Sequence, residues 1–398
     1  MSKIHVLIFE INLDGHHLIY LKKISESYLK SGRIVTIVIS EKFKENSEIN
    51  QLKISYGDSL NIFLLNEIDC KKSMKPVCGN IGREISLWRL FKKTFNLVKS
   101  IKKIDFVFLP YTDYCLNAIG LLGSPFGKTA WSGICMRPAF HYKYSGVIAP
   151  SSILLHLKKL LFYITLKNRT LHCIFSIDQL LVKYVHVRNP KIAHRLCYIP
   201  DPTEPPSEFD ARVLRQNYKI DINANIILVY GAIDERKNLF QLLSALLIDK
   251  NLSSWHVFIV GKQSNSVRTE LINDRWENIR NRIYTIDAFV TDEVEQHVIS
   301  MCDVVWIAYL AHYQMSGVLV RSGIYRKPII ACEEGLIGWY TKNYEIGVTI
   351  APNKIADVSH ALNKLSNSIN IKKFGENGSR LFKNNTWNNF IKILMRNE

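Results

Sequence analysis

The sequence predicts an α/β protein of two domains, each a doubly wound parallel sheet with helices on both faces. Three observations support this fold class: a length of 398 residues, short apolar runs alternating with longer amphipathic stretches, and a proline-rich segment near the middle. A chain of this length suits two domains of ordinary size. Strands that alternate with helices form parallel βαβ units rather than sandwiches. An apolar fraction of 47% with 22% charged residues excludes extended disorder and fibrous proteins.

Eight apolar runs are predicted as strands, and amphipathic stretches between them are predicted as helices. The predicted strands are 4–9, 34–39, 106–109 and 173–175 in the first half, and 226–230, 256–260, 304–308 and 328–331 in the second. The clearest helical patterns are 17–31, 239–247 and 318–325.

The segment 199–206 contains four prolines in eight residues and is the best candidate for a linker. Proline stops a helix or a central strand from running through such a segment. We therefore predict a first domain at 1–200 and a second at 201–370. The polar, basic tail at 371–398 has periodic apolar residues, which predicts one or two amphipathic helices packed back on the fold.

The positive charge is concentrated in the first half of the chain. Residues 1–200 contain 29 Lys and Arg but 13 Asp and Glu, which accounts for nearly all of the net charge of +17. Anionic lipid, nucleic acid and anionic small molecules all fit this charge, and a solvated lysine-rich surface is the alternative. The sequence has no nucleic-acid motif with interleaved aromatic residues, so we expect no nucleic-acid partner.

The cysteines and the N-terminus both favour a cytoplasmic protein. The eight cysteines form no C-x-x-C pair and no Cys/His cluster at zinc spacing, so we expect buried thiols in a reducing compartment. The N-terminus lacks the long apolar region of a signal peptide, and no stretch reaches the roughly 18 apolar residues of a spanning helix.

Ligands of open α/β sheets bind where parallel strands end, so the loops after predicted strands are the candidate sites. After the first strand, Gly15 precedes a helix and would let the backbone approach a ligand, although a tight turn without a ligand is the alternative. After the strand 226–230, Arg236 and Lys237 stand at the start of a helix. Cations are unfavourable there unless an anion such as a diphosphate binds between them and the helix amides, the alternative being a solvated loop.

A third loop follows the strand 304–308. Ser316 is a good N-cap, while Gly317 and Val318 leave backbone amides open to a phosphate. A capping role alone is the alternative.

These loops carry a family resemblance. The relevant segments are Gly231 with ERKNL at 235–239 and LLSA at 242–245, HVFIVG at 256–261, CDVV at 302–305, SGVL at 316–319 with KPIIA at 327–331, SID at 176–178 and YIPD at 198–201. Together they resemble the family-four (group 1) glycosyltransferases of the GT-B fold. The resemblance spans most of the chain, densely over 173–350 and thinly over 40–170.

The resemblance implies two Rossmann-like domains with a cleft between them, the second holding a nucleotide sugar and the first an acceptor. It also implies a retaining transfer to a lipid-linked or surface-polysaccharide precursor, such as that of lipopolysaccharide, capsule or exopolysaccharide. The family has two glutamates eight positions apart at the third loop, where this sequence has Tyr313 and Arg321. The second glutamate commonly holds the ribose of the donor. Arg321 occupies its position here, so Arg321 is included among the donor-binding candidates. A catalytically silent subunit or a basic binding module stays open as the alternative.

We expect no metal and no cofactor besides the donor. The sequence contains no Asp-x-Asp, which many metal-dependent transferases use. Arg236, Lys237 and the amides at 316–319 could instead stabilise the charge that develops on the departing diphosphate.

Three residues of the first half are candidates for catalysis on the acceptor side. Asp113 and His141 lie in loops after predicted strands, and His16 lies in the first loop, which faces the cleft in the family. For Asp113 and His141, a structural hydrogen bond is the alternative role.

Two basic amphipathic stretches, 83–103 and 153–169, predict docking on an anionic membrane at the inner face of the cell membrane. The residues predicted to face the membrane are Trp88, Phe91, Lys92, Lys158 and Lys159. The alternative is that the apolar faces of both stretches pack on the sheet of their own domain.

Overall fold

The computed structural model describes residues 3–75, 79–207 and 209–397. The chain divides into two compact units. The first unit comprises Met1–His141, Ser151–Pro200 and Trp387–Glu398, and the second comprises Tyr142–Pro150 and Asp201–Thr386.

The first unit is built on a parallel sheet that has seven strands within the described residues. Its strands are β1 (His5–Phe9), β2 (Ile34–Ser40), β3 (Leu60–Leu65), β4 (Phe106–Leu109), β5 (Ala130–Cys135), β6 (Leu171–Ser176) and β7 (Leu196–Tyr198). They lie in the order β3-β2-β1-β4-β5-β6-β7. The chain order reverses beside β1, so the loops after β1 and β4 meet at the switch point where such sheets bind ligands.

Helices connect the strands of the first unit. They are α1 (His16–Lys30), α2 (Ser47–Tyr56), α3 (Glu67–Met74), α4 (Gly79–Ile101), α5 (Leu116–Leu122), α6 (Ile153–Leu166) and α7 (Gln179–Arg188). The core between sheet and helices is rich in aromatic rings, including Phe9, Phe91 and Phe126.

The second unit has a parallel sheet with six strands among the described residues. The strands are β8 (Asn225–Tyr230), β9 (Trp255–Val260), β10 (Ile283–Ile286), β11 (Val304–Ile307), β12 (Ile329–Cys332) and β13 (Gly347–Ile350). Their order is β10-β9-β8-β11-β12-β13, which places the switch point between β8 and β11.

The helices of the second unit cover both faces of this sheet, which buries a second core. They are α8 (Ala211–Asn217), α9 (Leu239–Ile248), α10 (Asn265–Leu271), α11 (Asp292–Met301), α12 (Gly317–Ile324), α13 (Gly335–Asn343), α14 (Ile355–Leu365) and α15 (Ser368–Phe382). The last helix of the chain, α16 (Trp387–Arg396), belongs to the first unit.

The two parallel sheets confirm the predicted fold class, and every predicted strand is present. The sequence patterns missed β3, β7, β10 and β13, which are the four edge strands of the two sheets. Edge strands are half-exposed and therefore lack a long apolar run. The pattern also missed the central strand β5, whose apolar run is interrupted by Ser132 and Gly133. Glycine is required at 133, because a Cβ would overlap Cγ2 of Thr112 and lie 2.7 Å from the carbonyl oxygen of Leu109.

The chain passes from one unit to the other at positions that the sequence composition does not predict. The predicted first domain, 1–200, includes Tyr142–Pro150, which the structure assigns to the second unit. The predicted tail, 371–398, divides between α15 in the second unit and α16 in the first. Within the first unit, α16 packs on α1, where the Tyr20 ring centroid lies 5.2 Å from that of Trp387 and 5.4 Å from that of Phe390.

The structure corrects one part of the membrane prediction. Trp88 and Phe91 belong to the core of the first unit, and Phe91 is fully buried. The Trp88 indole donates to the carbonyl oxygen of Gly123 at 2.8 Å. Because these rings cover the sheet of their own unit, they do not face a membrane. Lys92 stays exposed, with its ammonium 4.9 Å from the Trp88 ring centroid.

The cysteines lie where the sequence predicted them, within the described residues. Cys70, Cys115, Cys135, Cys173, Cys302 and Cys332 are buried, and Cys197 is half-buried. Cys78 lies outside the described residues. Across the described ranges, none of the helices has the length and apolarity needed to cross a bilayer.

Candidate functional site

The loop after β8 is held by hydrogen bonds on several sides. Asp234 caps the short helical turn Glu235–Lys237 by accepting from the Arg236 amide at 3.0 Å. The Trp306 indole on β11 donates to the carbonyl oxygen of Lys237 at 2.8 Å, and the Leu310 amide donates to that of Arg236 at 2.8 Å. These bonds therefore connect the loop after β8 with β11 and the loop that follows it, at the switch point of the sheet.

Lys237 folds back over the end of β8. Its ammonium donates to the carbonyl oxygen of Tyr230 at 2.9 Å and lies 3.9 Å from the centroid of the Tyr309 ring. Gly231 makes room for it, since a Cβ there would lie 3.3 Å from the Lys237 ammonium and the backbone φ is +104°. The cation is thus fixed at the carboxyl edge of the sheet rather than free in solvent.

Arg236 projects outward and is held by its own turn. Its guanidinium donates to Oδ2 of Asp234 from Nε at 2.9 Å and from Nη2 at 2.6 Å. This bonding to a carboxylate raises the pKa of Arg236. Two-thirds of the Arg236 side chain stays exposed, so the group is ordered and accessible.

The third loop contributes amides and a histidine. The Ser316 hydroxyl accepts from the Val318 amide at 3.3 Å, as an N-cap does, and α12 begins at Gly317. Burial, and then the charges of Lys237 and Arg236, lower the pKa of His312. A neutral imidazole therefore lies beside the two cations.

Arg321 is paired with a carboxylate of the neighbouring helix. Its guanidinium on α12 donates to Oε1 of Glu295 on α11. Glu295 is buried, and burial raises its pKa although Arg321 opposes the shift. Burial, and then the charge of Glu295, also raises the pKa of Tyr230 at the end of β8. Sequence reasoning missed Glu295, because an acid in the first turn of a helix is ordinary.

In the first unit, the residue after β1 is a fully buried carboxylate that sequence reasoning also missed. Glu10 accepts from the Asn12 amide at 3.2 Å, from the Tyr114 hydroxyl at 3.0 Å and from Nδ1 of His17 at 2.9 Å. The only sequence signal was an acid that interrupts an apolar run at the end of a strand.

Gly15 and His16 follow Glu10 in the chain, where the first loop leads into α1. Gly15 has a φ of +62° and precedes α1, so the chain turns at this residue. That Gly15 lets the backbone approach a ligand stays a prediction. The His16 ring is exposed and stacks on the His17 ring at 4.5 Å between centroids. The loop after β1 thus presents two adjacent imidazoles, of which His17 is bonded to Glu10.

Asp113 connects the loops after β4 and β5. Its carboxylate accepts from the amides of Met136 at 2.7 Å and Arg137 at 3.1 Å. Burial raises the pKa of Asp113 to about 6, against the pull of these amides. This bonding matches the structural alternative that the sequence left open for Asp113.

His141 lies in the interior of the first unit. Its ring is fully buried, with Nε2 2.9 Å from Oδ2 of Asp178. The other oxygen of Asp178 caps α7 by accepting from the Leu180 amide at 2.9 Å. His141 therefore joins the end of the segment Met1–His141 to α7. This is the structural hydrogen bond that the sequence analysis gave as the alternative role of His141.

Among the described residues, no cluster of three or more His, Cys, Asp or Glu side chains could hold a metal ion. The expectation that no metal takes part stays a prediction.

Comparison with known proteins gives the family of the second unit. Residues 210–380 match the family described as Glycosyl transferases group 1. Residues 210–380 are therefore a group 1 glycosyltransferase domain, and the chain as a whole has the GT-B fold. No protein of curated function shows significant sequence similarity to it.

Solved structures show the same fold over the whole length of the chain. Sucrose-phosphate synthase from Thermosynechococcus elongatus is 14% identical, with a TM-score of 0.70, and the match covers 99% of this chain and 98% of that one. HepE from Anabaena in complex with UDP is 12% identical, with a TM-score of 0.67 and 99% of each chain covered. WaaG, a glycosyltransferase involved in lipopolysaccharide biosynthesis, is 13% identical, with a TM-score of 0.63 and 98% of each chain covered.

Proposed function

We propose that the protein transfers a sugar from a nucleotide-sugar donor, bound by the second unit, to a lipid-linked or surface-polysaccharide precursor bound by the first. The observation that carries the donor half is the loop pair at the β8–β11 switch point. Arg236 and Lys237 lie in the loop after β8, and the loop after β11, which leads to α12, is tied to it by the hydrogen bond from the Leu310 amide to the Arg236 carbonyl oxygen. Breaking a sugar–phosphate bond requires stabilisation of charge on the departing diphosphate, and these groups supply it.

The match to the group 1 family supports this assignment, and the similar HepE structures contain UDP and UDP-glucose. We propose further that the reaction is retaining, as the resemblance implies, and that it needs no metal. Arg236 and Lys237 carry the charge that a cation carries in metal-dependent transferases.

An acceptor presented at a membrane is supported by α6. Five large aliphatic side chains of this helix are exposed, and Ile153 (89%) and Leu160 (57%) are the most exposed. The full set is Ile153, Leu154, Leu157, Leu160 and Ile164. Most of them repeat at heptad spacing, which gives the helix one continuous apolar stripe. A large exposed apolar patch marks an interaction surface.

The charge around α6 fits anionic lipid. Residues 114–177 contain seven Lys and Arg but no Asp or Glu. Lys158 and Lys159 lie on α6 itself and are half-buried. A basic amphipathic helix with bulky apolar residues suits the membrane interface. We therefore propose peripheral association with the cytoplasmic face of the cell membrane, with a lipid-linked acceptor of the kind that lipopolysaccharide synthesis uses.

A donor-hydrolysis assay with a panel of nucleotide sugars tests the proposal. We expect release of nucleoside diphosphate from one donor of the panel, and loss of that release in the Arg236→Ala/Lys237→Ala double variant. Tight binding of a nucleoside diphosphate without turnover of any donor would favour a catalytically silent subunit. Absence of both binding and turnover would favour a basic binding module.

A further inference from the structure

Glu10 is a fully buried carboxylate at the carboxyl end of a central strand. Burying a carboxylate costs free energy unless its oxygens are hydrogen-bonded. Here Oε1 accepts from the Asn12 amide and the Tyr114 hydroxyl, and Oε2 accepts from Nδ1 of His17 at 2.9 Å. An exposed salt bridge would attach α1 to the sheet equally well, without the cost of burying a carboxylate. Because Glu10 lies at the edge of the sheet where ligands bind, its burial indicates a task at that edge.

That task is to orient His17. Because the carboxylate can only accept, the proton of the neutral ring lies on Nδ1, and Nε2 is left with an unshared electron pair. Within the described ranges, no side chain or backbone group bonds to Nε2 of His17. The ring therefore offers one fixed hydrogen-bond acceptor to whatever binds beside the loop.

Aromatic rings hold the imidazole on its other sides. Centroids of the His16, Tyr111 and Tyr114 rings lie 4.5, 5.0 and 6.1 Å from that of His17. Only 13% of the His17 side chain is exposed. Flat rings beside a single fixed acceptor suit a sugar, whose apolar face packs on aromatic surfaces while its hydroxyls donate.

We infer that Nε2 of His17 binds the acceptor sugar by accepting the hydrogen bond of the hydroxyl that receives the transferred sugar. Glu10 is a positioning residue, since it fixes the tautomer of His17 and does not itself contact the sugar. This inference rests on the proposed function and names the acceptor-side contact within it. It replaces none of the donor-side groups.

The first experiment separates acceptor use from donor use. Octyl glycosides serve as acceptor probes, and each variant is assayed for transfer and for binding of the donor product, a nucleoside diphosphate. We expect His17→Ala to reduce kcat/KM for the acceptor about 10- to 100-fold, as loss of one hydrogen bond in a site does, with diphosphate affinity unchanged. His17→Gln, whose amide oxygen can accept a hydrogen bond, should recover part of the transfer.

Glu10→Gln tests the positioning role. Its amide can donate to Nδ1, which moves the ring proton to Nε2 and removes the acceptor. We expect a loss of transfer like that of His17→Ala. If Glu10→Gln does not fold, Tyr114→Phe removes a single donor to Glu10 and should give a smaller loss. The matched control is His194→Ala, an exposed histidine of the first unit that precedes β7 and so lies at the opposite edge of the sheet.

The second experiment does not depend on turnover. In protein labelled with ¹⁵N-histidine, the His17 resonances are assigned from their loss in His17→Gln. We expect the Nδ1–H tautomer in the native protein, the Nε2–H tautomer in Glu10→Gln, and movement of the Nε2 resonance when an octyl glycoside binds.

The inference is overturned by a native Nε2–H tautomer, by a His17 resonance that no glycoside moves, or by His17→Ala that transfers as well as the native protein. Equal loss in His194→Ala overturns it as well. Failure of the proposed function is recognised separately, because the native protein would then bind no nucleoside diphosphate and hydrolyse no donor.

Discussion

Arg321 on α12 donates to Glu295 on α11, and the two side chains form an ion pair in the second unit. The sequence has a cation where the family that it resembles carries a glutamate. The structure supplies a carboxylate beside that cation from another helix. Glu295 therefore links two predicted features of the donor side, Arg321 and the end of β8 at Tyr230. Glu295 is not part of the family motifs found in the sequence.

The first prediction concerns this pair. Arg321→Ala should destabilise the fold because it leaves the buried Glu295 without its partner. Since Arg321 is more than one-third exposed, we expect about 1–3 kcal/mol rather than the larger loss of a fully buried pair. Burial raises the pKa of Glu295 in the folded state, so its ionised form disfavours folding as pH rises through that pKa. The loss in Arg321→Ala should therefore be greater at pH 8 than at pH 5, measured by urea unfolding.

Adding Glu295→Gln to Arg321→Ala serves as the control for that explanation. The double variant should recover part of the stability at pH 8 and show a smaller pH dependence than Arg321→Ala alone. An equal loss at both pH values in the single variant would contradict the role of the carboxylate.

The second prediction concerns Asp113. Its pKa is raised to about 6 in the folded state, above the value of roughly 3.9 for an unperturbed aspartate. Stability from this group is fully present below the unfolded pKa and is lost as pH rises through about 6. Asp113→Asn does not titrate, so its stability relative to the native protein should improve between pH 4 and pH 8 by at most about 3 kcal/mol. Denaturant unfolding at a series of pH values measures this, and a constant difference between the two proteins would contradict the raised pKa.

The third prediction concerns the two cations after β8. Lys237→Ala and Arg236→Ala should each remove a charge-assisted contact of ~1.5–3 kcal/mol, which is about tenfold to a hundredfold in affinity for a nucleoside diphosphate. Lys237 is fixed over the Tyr309 ring, whereas Arg236 must share its guanidinium with Asp234, so we expect the larger loss in Lys237→Ala. Isothermal titration calorimetry provides the affinities.

Lys250→Ala is the matched control, because this exposed lysine precedes β9 and lies at the opposite edge of the same sheet. Unchanged diphosphate binding in the Arg236→Ala/Lys237→Ala double variant would remove both residues from the donor site.

The fourth prediction is that activity survives chelation. The charge on the departing diphosphate is expected to be stabilised by Arg236, Lys237 and the amides at the start of α12. Activity measured after treatment with EDTA should equal activity in added Mg²⁺ or Mn²⁺. A strict requirement for either ion would show that these groups do not suffice.

The fifth prediction concerns α6. Flotation with liposomes should recover more protein as the fraction of anionic lipid rises and less as salt rises. Lys158→Glu/Lys159→Glu should weaken binding through charge, and Leu157→Ser/Leu160→Ser should weaken it through the exposed apolar stripe. The matched control is Lys372→Glu/Lys373→Glu, which makes the same charge change at a pair of exposed lysines on α15. Equal recovery on neutral and anionic vesicles would favour a soluble acceptor.

Sequence reasoning located the loops better than the side chains that act within them. The loops at Gly15, at 231–238 and at Ser316 all lie at the carboxyl edges of the two sheets, because strand–loop–helix order is local and can be recognised from periodicity. Glu10 and Glu295 were missed. Each acquires its partner from an element that the local pattern does not contain, namely α1 and the loop after β4 for Glu10, and α12 for Glu295.

The amphipathic helices show the same limit. Both α4 and α6 have aromatic or aliphatic residues at helical spacing among lysines. The sequence pattern therefore predicted membrane docking for both helices. The sheet of the first unit buries Phe91 of α4 but leaves Ile153 and Leu160 of α6 exposed. An amphipathic pattern indicates that a helix has an apolar face, but it does not indicate whether another element covers that face.

The sequence by itself determined the fold class, the proline-rich segment at 199–206 and the group 1 motifs of the second unit, because each depends on residues that are close in the chain. Only the tertiary structure decided which apolar faces are covered, which cations are paired, and that His17 is held by a buried acid. Burial and ion pairing depend on side chains from separate elements that meet only when the sheet is assembled, and they set the free energy of each charge.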